Sequence, residues 1–341
     1  MKTLKLPKHR LDFFASVLQG FGEVHGPVER NGGFAFERLR RWSDARLGYT
    51  RTLLPPRKYF LPPREILYTL HRNGNGVSEP SGEPTRIVLF GVHACDIHGL
   101  NILDEVFGDP YPDSYYRKRR QSIAVIGIDC VPDEHCFCRS MRADFVDHGF
   151  DLFLYDIGDF YLTLVGSARG DDMVLATGGL FQPVLRVDEE EFKRRSAAKR
   201  DAFRLDVEIR DLSQIFEMEY ESRIWEELGD RCLACGACSL VCPTCYCFDV
   251  VDQAPLGDGD IERIRCWDSC LYPSHAEVAG GENFRAERAD RVKFRFYHKQ
   301  RGFVAEYGRP SCVGCGRSIT SCPVGIDIVQ VLERLRGVAH A

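Results

Sequence analysis

Two cysteine runs near the C-terminus constrain this chain more than any other feature. The first, Cys232-Leu-Ala-Cys235-Gly-Ala-Cys238-Ser-Leu-Val-Cys242-Pro243, has the C-x2-C-x2-C-x3-C-P spacing of a bacterial-type iron–sulfur site. The second, Cys312-Val-Gly-Cys315-Gly-Arg-Ser318-Ile-Thr-Ser-Cys322-Pro323, repeats that frame with Ser318 at the third cysteine position. Paired runs of this kind lend each other their last cysteine. One four-iron cluster then takes Cys232, Cys235, Cys238 and Cys322. The other takes Cys242, Cys312, Cys315 and a substitute for the missing thiolate. Ser318 itself, as an alkoxide, is one substitute; a three-iron or labile cluster is another outcome. A third is replacement by one of Cys245, Cys247, Cys266 or Cys270. Gly236 and Gly316 keep side-chain bulk away from the cluster sulfides, where backbone N–H groups donate to sulfur.

The chain has 15 cysteines, and the others are grouped as well. Cys95 follows the strand-like 86–92 stretch, and Cys130 follows 122–128. Cys136-Phe-Cys138 comes directly after. Ligands at strand ends converge easily in an α/β domain, so these four thiols are expected to hold a third cluster. Buried, inert cysteine is the plainer account, and zinc is the alternative metal. Cys245-Tyr-Cys247 and Cys266-Trp-Asp-Ser-Cys270 form a last set, either ligands of a further cluster or packing around the first two. His93, His98 and His135 lie near the N-terminal cysteines in sequence and are expected to be packed or solvated rather than ligating.

A chain of 341 residues has room for two or three domains. Charged residues make up 28% and the formal net charge is -5, so no basic field favours nucleic acid. The longest apolar stretches are far too short to span a membrane. The N-terminus is charged and lacks the apolar core of a signal peptide. The chain therefore reads as cytoplasmic, where C-x2-C spacing means metal rather than disulfides. Zinc ribbons pair separate C-x2-C hooks, whereas here three or four cysteines share one run and a proline follows. That favours iron–sulfur over zinc.

The fold class reads as α+β: an N-terminal mixed α/β domain (1–185), then a helical dicluster ferredoxin-like domain (186–341) with an insert of about 70 residues between the runs. Strands are predicted at 86–92 and 122–128, a hairpin at 151–156 and 160–165, and a helix at 97–107. Helices are also predicted at 188–203, 211–228 and 326–336. The stretch 54–63 is proline-rich and basic; 73–84 is a Gly/Pro/Ser loop. Arg117-Lys-Arg-Arg120 reads as a solvated face, with docking to an acidic partner as the sharper reading.

Seven segments in order resemble the β subunit of soluble nickel–iron sulfhydrogenases linked to NAD or NADP. They are Gly91-Val-His-Ala-Cys95-Asp-Ile-His-Gly99, Cys136-Phe-Cys138, Phe150-Asp-Leu-Phe-Leu154 and Cys242-Pro-Thr-Cys245-Tyr-Cys247-Phe-Asp249. Trp267-Asp-Ser-Cys270, Arg295-Phe-Tyr-His-Lys299 and Cys312-Val-Gly-Cys315-Gly-Arg317 complete the set. The A subunit of anaerobic sulfite reductase is similar in the same places. The resemblance covers about residues 50–330 and implies a non-catalytic electron-transfer subunit carrying [4Fe-4S] clusters. It implies a flavin- and NAD(P)-binding partner on one side. On the other it implies nickel–iron hydrogenase small and large subunits, or a sirohaem sulfite reductase subunit. Ser318 departs from the family, which has cysteine there, and Cys266 before Trp267 is a second departure. There is no G-x-G-x-x-G after a strand and no G-x-S-x-G, so no catalytic residue is assigned. The rivals are a zinc-bearing structural protein and a stand-alone reductase with an unseen flavin site.

Overall fold

The computed structural model describes residues 2–72, 76–257 and 259–337. Residue 1, the 73–75 tip of the Gly/Pro/Ser loop, residue 258 and 338–341 lie outside the described residues. Twelve strands occur among those described. In chain order they are β1 (Lys2–Pro7), β2 (Glu23–Arg30), β3 (Gly33–Arg38), β4 (Arg64–His71), β5 (Gly76–Ser78) and β6 (Ile87–Val92). β7 (Ile123–Ile128), β8 (Leu152–Asp156), β9 (Phe160–Val165), β10 (Gln182–Pro183), β11 (Phe248–Gln253) and β12 (Ile261–Trp267) follow. The chain divides into two compact units. The first comprises Met1–Pro56, Pro84–Glu208 and Val313–Arg317; the second comprises Arg57–Glu83, Ile209–Cys312 and Ser318–Ala341.

The first unit is built on an eight-stranded sheet of order β10-β1-β9-β8-β7-β6-β2-β3. β2, β6, β7 and β8 run parallel; the remaining neighbours are antiparallel. Ile-Val-Leu-Phe-Gly-Val and Ile-Ala-Val-Ile-Gly-Ile are near-continuous apolar runs because both faces of the central strands are covered. The core centres on Leu6, Phe14, Val88, Phe90, Ile126 and Leu152. The β8–β9 hairpin turns through Ile157, Gly158 and Asp159 as the sequence predicts. The helix predicted at 97–107 begins earlier, as Ala94–Val106, and that predicted at 188–203 is Arg186–Asp201.

The second unit holds a four-stranded antiparallel sheet, β11-β12-β4-β5, beside short helices. The helical reading of this part missed that sheet. Its hairpin comes from the insert, and its third strand is supplied by Arg64–His71, about 190 residues away in sequence. The structure thus draws its units differently from a cut at 185/186. Residues 57–83 join the C-terminal unit because β4 pairs with β12. Residues 186–208 join the first unit, where buried Asp188 bonds Lys5 and buried Lys199 bonds Asp129. The single helix predicted at 211–228 is two, Leu212–Met218 and Ile224–Arg231. Phe216, Trp225, Phe296 and Tyr297 pack ring against ring and fix the second of these on the helix Arg288–Tyr297. Asp327 caps the closing helix Ile328–Leu335 by accepting from the Val329 N–H.

Candidate metal centres

In the first unit, Cys95 opens the helix after β6 and Cys130 follows β7 by two residues. These strands are parallel neighbours, so the two thiols stand side by side at carboxyl ends, where open α/β sheets place their ligands. Gly91, with φ +85, makes an irregularity in β6 against β7 just before His93. The loop after β7 supplies Cys136 and Cys138, turned by the Cys136 N–H bonding the Asp133 carbonyl at 3.2 Å.

Segment Val313–Arg317 of the second cysteine run also belongs to this unit. The Phe137 N–H donates to the Gly314 carbonyl at 2.9 Å. A Cβ on Gly314, whose φ is +66, would stand 2.6 Å from the Cys138 nitrogen, so only glycine fits. Arg317 makes a buried two-pronged pair with Asp96 at 2.6 and 2.9 Å. Cys315 is thereby held among the electrostatic neighbours of Cys95, together with Cys138 and Cys130. The sequence had grouped Cys315 with Cys242 and Cys312.

The surroundings of these thiols are dry. Burial, then Asp96 and the other thiols, raises the Cys95 thiol well above its ordinary value, and burial pushes Cys130 up to about 12 and Cys136 to about 11. Uncharged and unligated, such thiols would sit inert; a bound cation reverses this by favouring thiolate. Lys199 answers them: against the effect of burial, Cys130 and Asp129 hold it charged, and its ammonium bonds the Asp129 carboxylate at 2.5 Å. Arg51 reaches Cys136 Sγ at 3.6 Å. His93 is buried, stacked on Tyr49 with centroids 4.0 Å apart, and depressed by burial and then by Arg317. Its Nε2 has no hydrogen-bond partner among the described residues. His98 instead bonds the Phe145 carbonyl at 2.7 Å, and His135 lies near Glu134.

In the second unit, Cys232, Cys235, Cys238 and Cys322 line one open cavity of about 50 Å³. The first run gets there by a tight reversal, Ala234 having φ +51 and Gly236 φ +73. A Cβ on Gly236 would meet the Tyr272 ring at 2.7 Å, and one on Gly316 the His135 carbonyl, so close packing within the fold also calls for glycine at both positions. Backbone N–H groups do reach sulfur: Ala234 to Cys232 at 3.3 Å and Ile326 to Cys322 at 3.2 Å. Ser318 lines this first cavity.

The other thiols of the unit collect nearby. The Cys245 thiol hydrogen-bonds Cys242, Cys270 hydrogen-bonds Cys247, and Cys270 feels Cys245. Cys242 also contacts Thr244 Oγ1 at 3.2 Å. Three buried cations surround them. Arg295 donates to the Cys238 carbonyl at 3.2 Å and reaches Cys245 Sγ at 3.9 Å, so it touches both groups. Lys299 donates to Thr244 at 2.7 Å. Arg57 donates to the carbonyls of Cys245 and Leu240 and lies on the Trp267 indole face. Cys312 is a further neighbour of Lys299. Cys266 is carried on β12 opposite Asp249 and Arg64.

The sequence named these thiols but not the cations. Arg57 and Lys199 were not singled out. Arg295, Lys299 and Arg317 entered only through the resemblance. A usable signal existed: a buried cation is costly unless it meets negative charge, and Arg57 and Lys58 are the only charges of a proline-rich stretch, 54–63.

The arrangement suits clusters rather than single ions. Four thiols around an open cavity leave room for an iron–sulfur cube. Residues 231–326 match the 4Fe-4S dicluster domain family, and the chain carries [4Fe-4S] clusters. Along its length it is 40% identical to sulfhydrogenase 2 subunit beta of Pyrococcus furiosus, over 336 residues covering 98% of this chain and 99% of that one. No helix among the described residues is long and apolar enough to cross a membrane. With that identity sustained from end to end, the chain belongs to the sulfhydrogenase β-subunit family.

Proposed function

We propose that this chain is the electron-transfer subunit of a cytoplasmic multi-subunit hydrogenase. It stands between a flavin- and NAD(P)-binding subunit and the nickel–iron small and large subunits. The observation that carries this reading is the full-length relationship to a sulfhydrogenase β subunit. Bound [4Fe-4S] clusters supply one-electron transfer.

The chain's own residues hold, neutralise and shelter those groups. Cys232, Cys235, Cys238 and Cys322 hold one cluster. Cys95, Cys130, Cys136 and Cys138 hold another, with Cys315 beside them. Lys199, Arg295 and Lys299 place positive charge at buried thiolates and so favour the reduced state. Leu271, Val292 and Phe296 wall the cavity of the first cluster and limit water there. Substrate chemistry is assigned to the partners.

The test is anaerobic affinity purification from native cells, with mass spectrometry and metal analysis. Co-elution of nickel with hydrogenase and flavoprotein subunits is the expected result. Sirohaem with a sulfite reductase subunit, or a colourless zinc protein, would overturn it.

A further inference from the structure

A dicluster domain needs a second set of ligands, and the thiol runs do not supply the set their spacing suggests. Ser318 lines the cavity of the first cluster, and Cys315 belongs with Cys95 in the other unit. What the second unit does assemble is Cys242, Cys245, Cys247 and Cys270. Cys242 meets Cys245 and Cys247 meets Cys270. A small cleft opens beside Cys245 and Cys247, with Arg57 and Trp267 in its wall. The arrangement has local causes. Cys242-Pro-Thr-Cys245-Tyr-Cys247 leads straight into β11, and Cys270 leaves β12, so the hairpin pairing Phe248 with Trp267 brings the two ends together. The Asp268 N–H bond to the Cys247 carbonyl, 3.0 Å, secures that closure.

The charges point the same way. Arg57, Arg295 and Lys299 are 3%, 8% and 4% exposed, and their contacts here are carbonyls, a hydroxyl, an indole face and sulfur. Two neutral disulfides would leave three buried cations uncompensated, which is strongly unfavourable. Four thiolates around an iron–sulfur core carry net negative charge and answer them.

We propose that Cys242, Cys245, Cys247 and Cys270 hold the second [4Fe-4S] cluster of the dicluster domain, in place of a set built on Cys312, Cys315 and Ser318. This rests on the iron–sulfur reading above and says where that cluster sits.

The experiment uses the full chain in its native assembly, purified without oxygen, with iron and acid-labile sulfide counted per chain. The double variant Cys245→Ser/Cys270→Ser should lose about four iron and four sulfide atoms of about twelve. Ser318→Ala and Cys312→Ala should keep the wild-type count. Wild-type iron and sulfide in the double variant would overturn the placement, as would a loss confined to Cys312→Ala or Ser318→Ala. Should the double variant fail to accumulate, Cys247→Ser supplies the readout. An oxygen donor there should retain the iron but change the electron paramagnetic resonance (EPR) signal of one reduced cluster, and an unchanged signal would count against the proposal. Absence of iron from the wild type itself would instead sink the iron–sulfur reading.

Discussion

Lys299→Met should lower the reduction potential of the cluster beside Cys242 by about 50–100 mV. Lys299 sits on a single π-helical turn, His298–Gly302, a feature that often marks functional positions. Its ammonium is 2.7 Å from Thr244 Oγ1, which is 3.2 Å from Cys242 Sγ, so ammonium and sulfur are at most about 6 Å apart. Two unit charges at about 6 Å and an effective dielectric of about 20 interact by about 3 kcal/mol. The transferred electron spreads over a cluster lying beyond the sulfur, which brings the figure to about 2 kcal/mol. At 59 mV per tenfold change for one electron, that is about 90 mV. The sign follows from charge: the ammonium favours the reduced, more negative form, and methionine removes it at similar length. EPR-monitored redox titration of the full chain reads the shift, with iron content measured alongside to show that no ligand was lost. Lys299→Arg should stay within about 30 mV of wild type, since the charge is kept. A midpoint for Lys299→Met that is unchanged within about 20 mV, or that rises, would refute the electrostatic role.

Asp96→Asn should destabilise the first unit by about 3–5 kcal/mol, because Arg317 is left buried without its carboxylate, and denaturant unfolding followed by circular dichroism measures it. Adding Arg317→Met should recover part of that loss. Gly314→Ala should deplete iron from the Cys95 group while sparing the Cys232 group, since the new Cβ pushes on the backbone at Phe137 and Cys138; EPR of the two signals separates these outcomes. The Lys5–Asp188 pair, 2.7 Å and buried, predicts a pH effect. Burial opposes it, yet the Lys5 ammonium and the Leu185 N–H hold the Asp188 carboxyl below its ordinary value. Its stabilisation is therefore fully present above about pH 4 and lost as pH falls through the depressed folded value. Asp188→Asn should flatten the stability loss between pH 5 and 3 in acid titrations.

Much of the first unit was legible because its signals are local. β6 and β7 are apolar runs with a cysteine just past each end, and the β8–β9 hairpin turns on Ile-Gly-Asp. The Cys232, Cys235, Cys238 and Cys322 grouping followed from spacing alone. What escaped reading depends on contacts between segments remote in sequence. Arg64–His71 pairs with Ile261–Trp267, and no periodicity in either stretch names the other. Cys315 departs from its run because Gly314 and Arg317 are anchored to Phe137 and Asp96, which spacing does not encode. Ser318 looked like a defect in the second run, and it lines the cavity that Cys232, Cys235, Cys238 and Cys322 share. The buried cations were invisible because a charged residue is usually solvated, and their thiol partners lie far away in the chain.

The central claim, that electrons pass through this chain between a hydrogenase and an NAD(P)-handling flavoprotein, is tested most directly by two hydrogen-dependent rates measured on one assembly. One is reduction of an artificial dye at the nickel–iron subunits; the other is reduction of NAD(P). Cys235→Ser, which removes a thiolate at the mouth of the first cluster cavity, should cut the NAD(P) rate at least about tenfold. The dye rate and the nickel content should stay as in wild type. An NAD(P) rate that survives in an assembly shown by iron analysis to have lost that cluster would contradict the account, because electrons would then be reaching the flavin by a path that bypasses it.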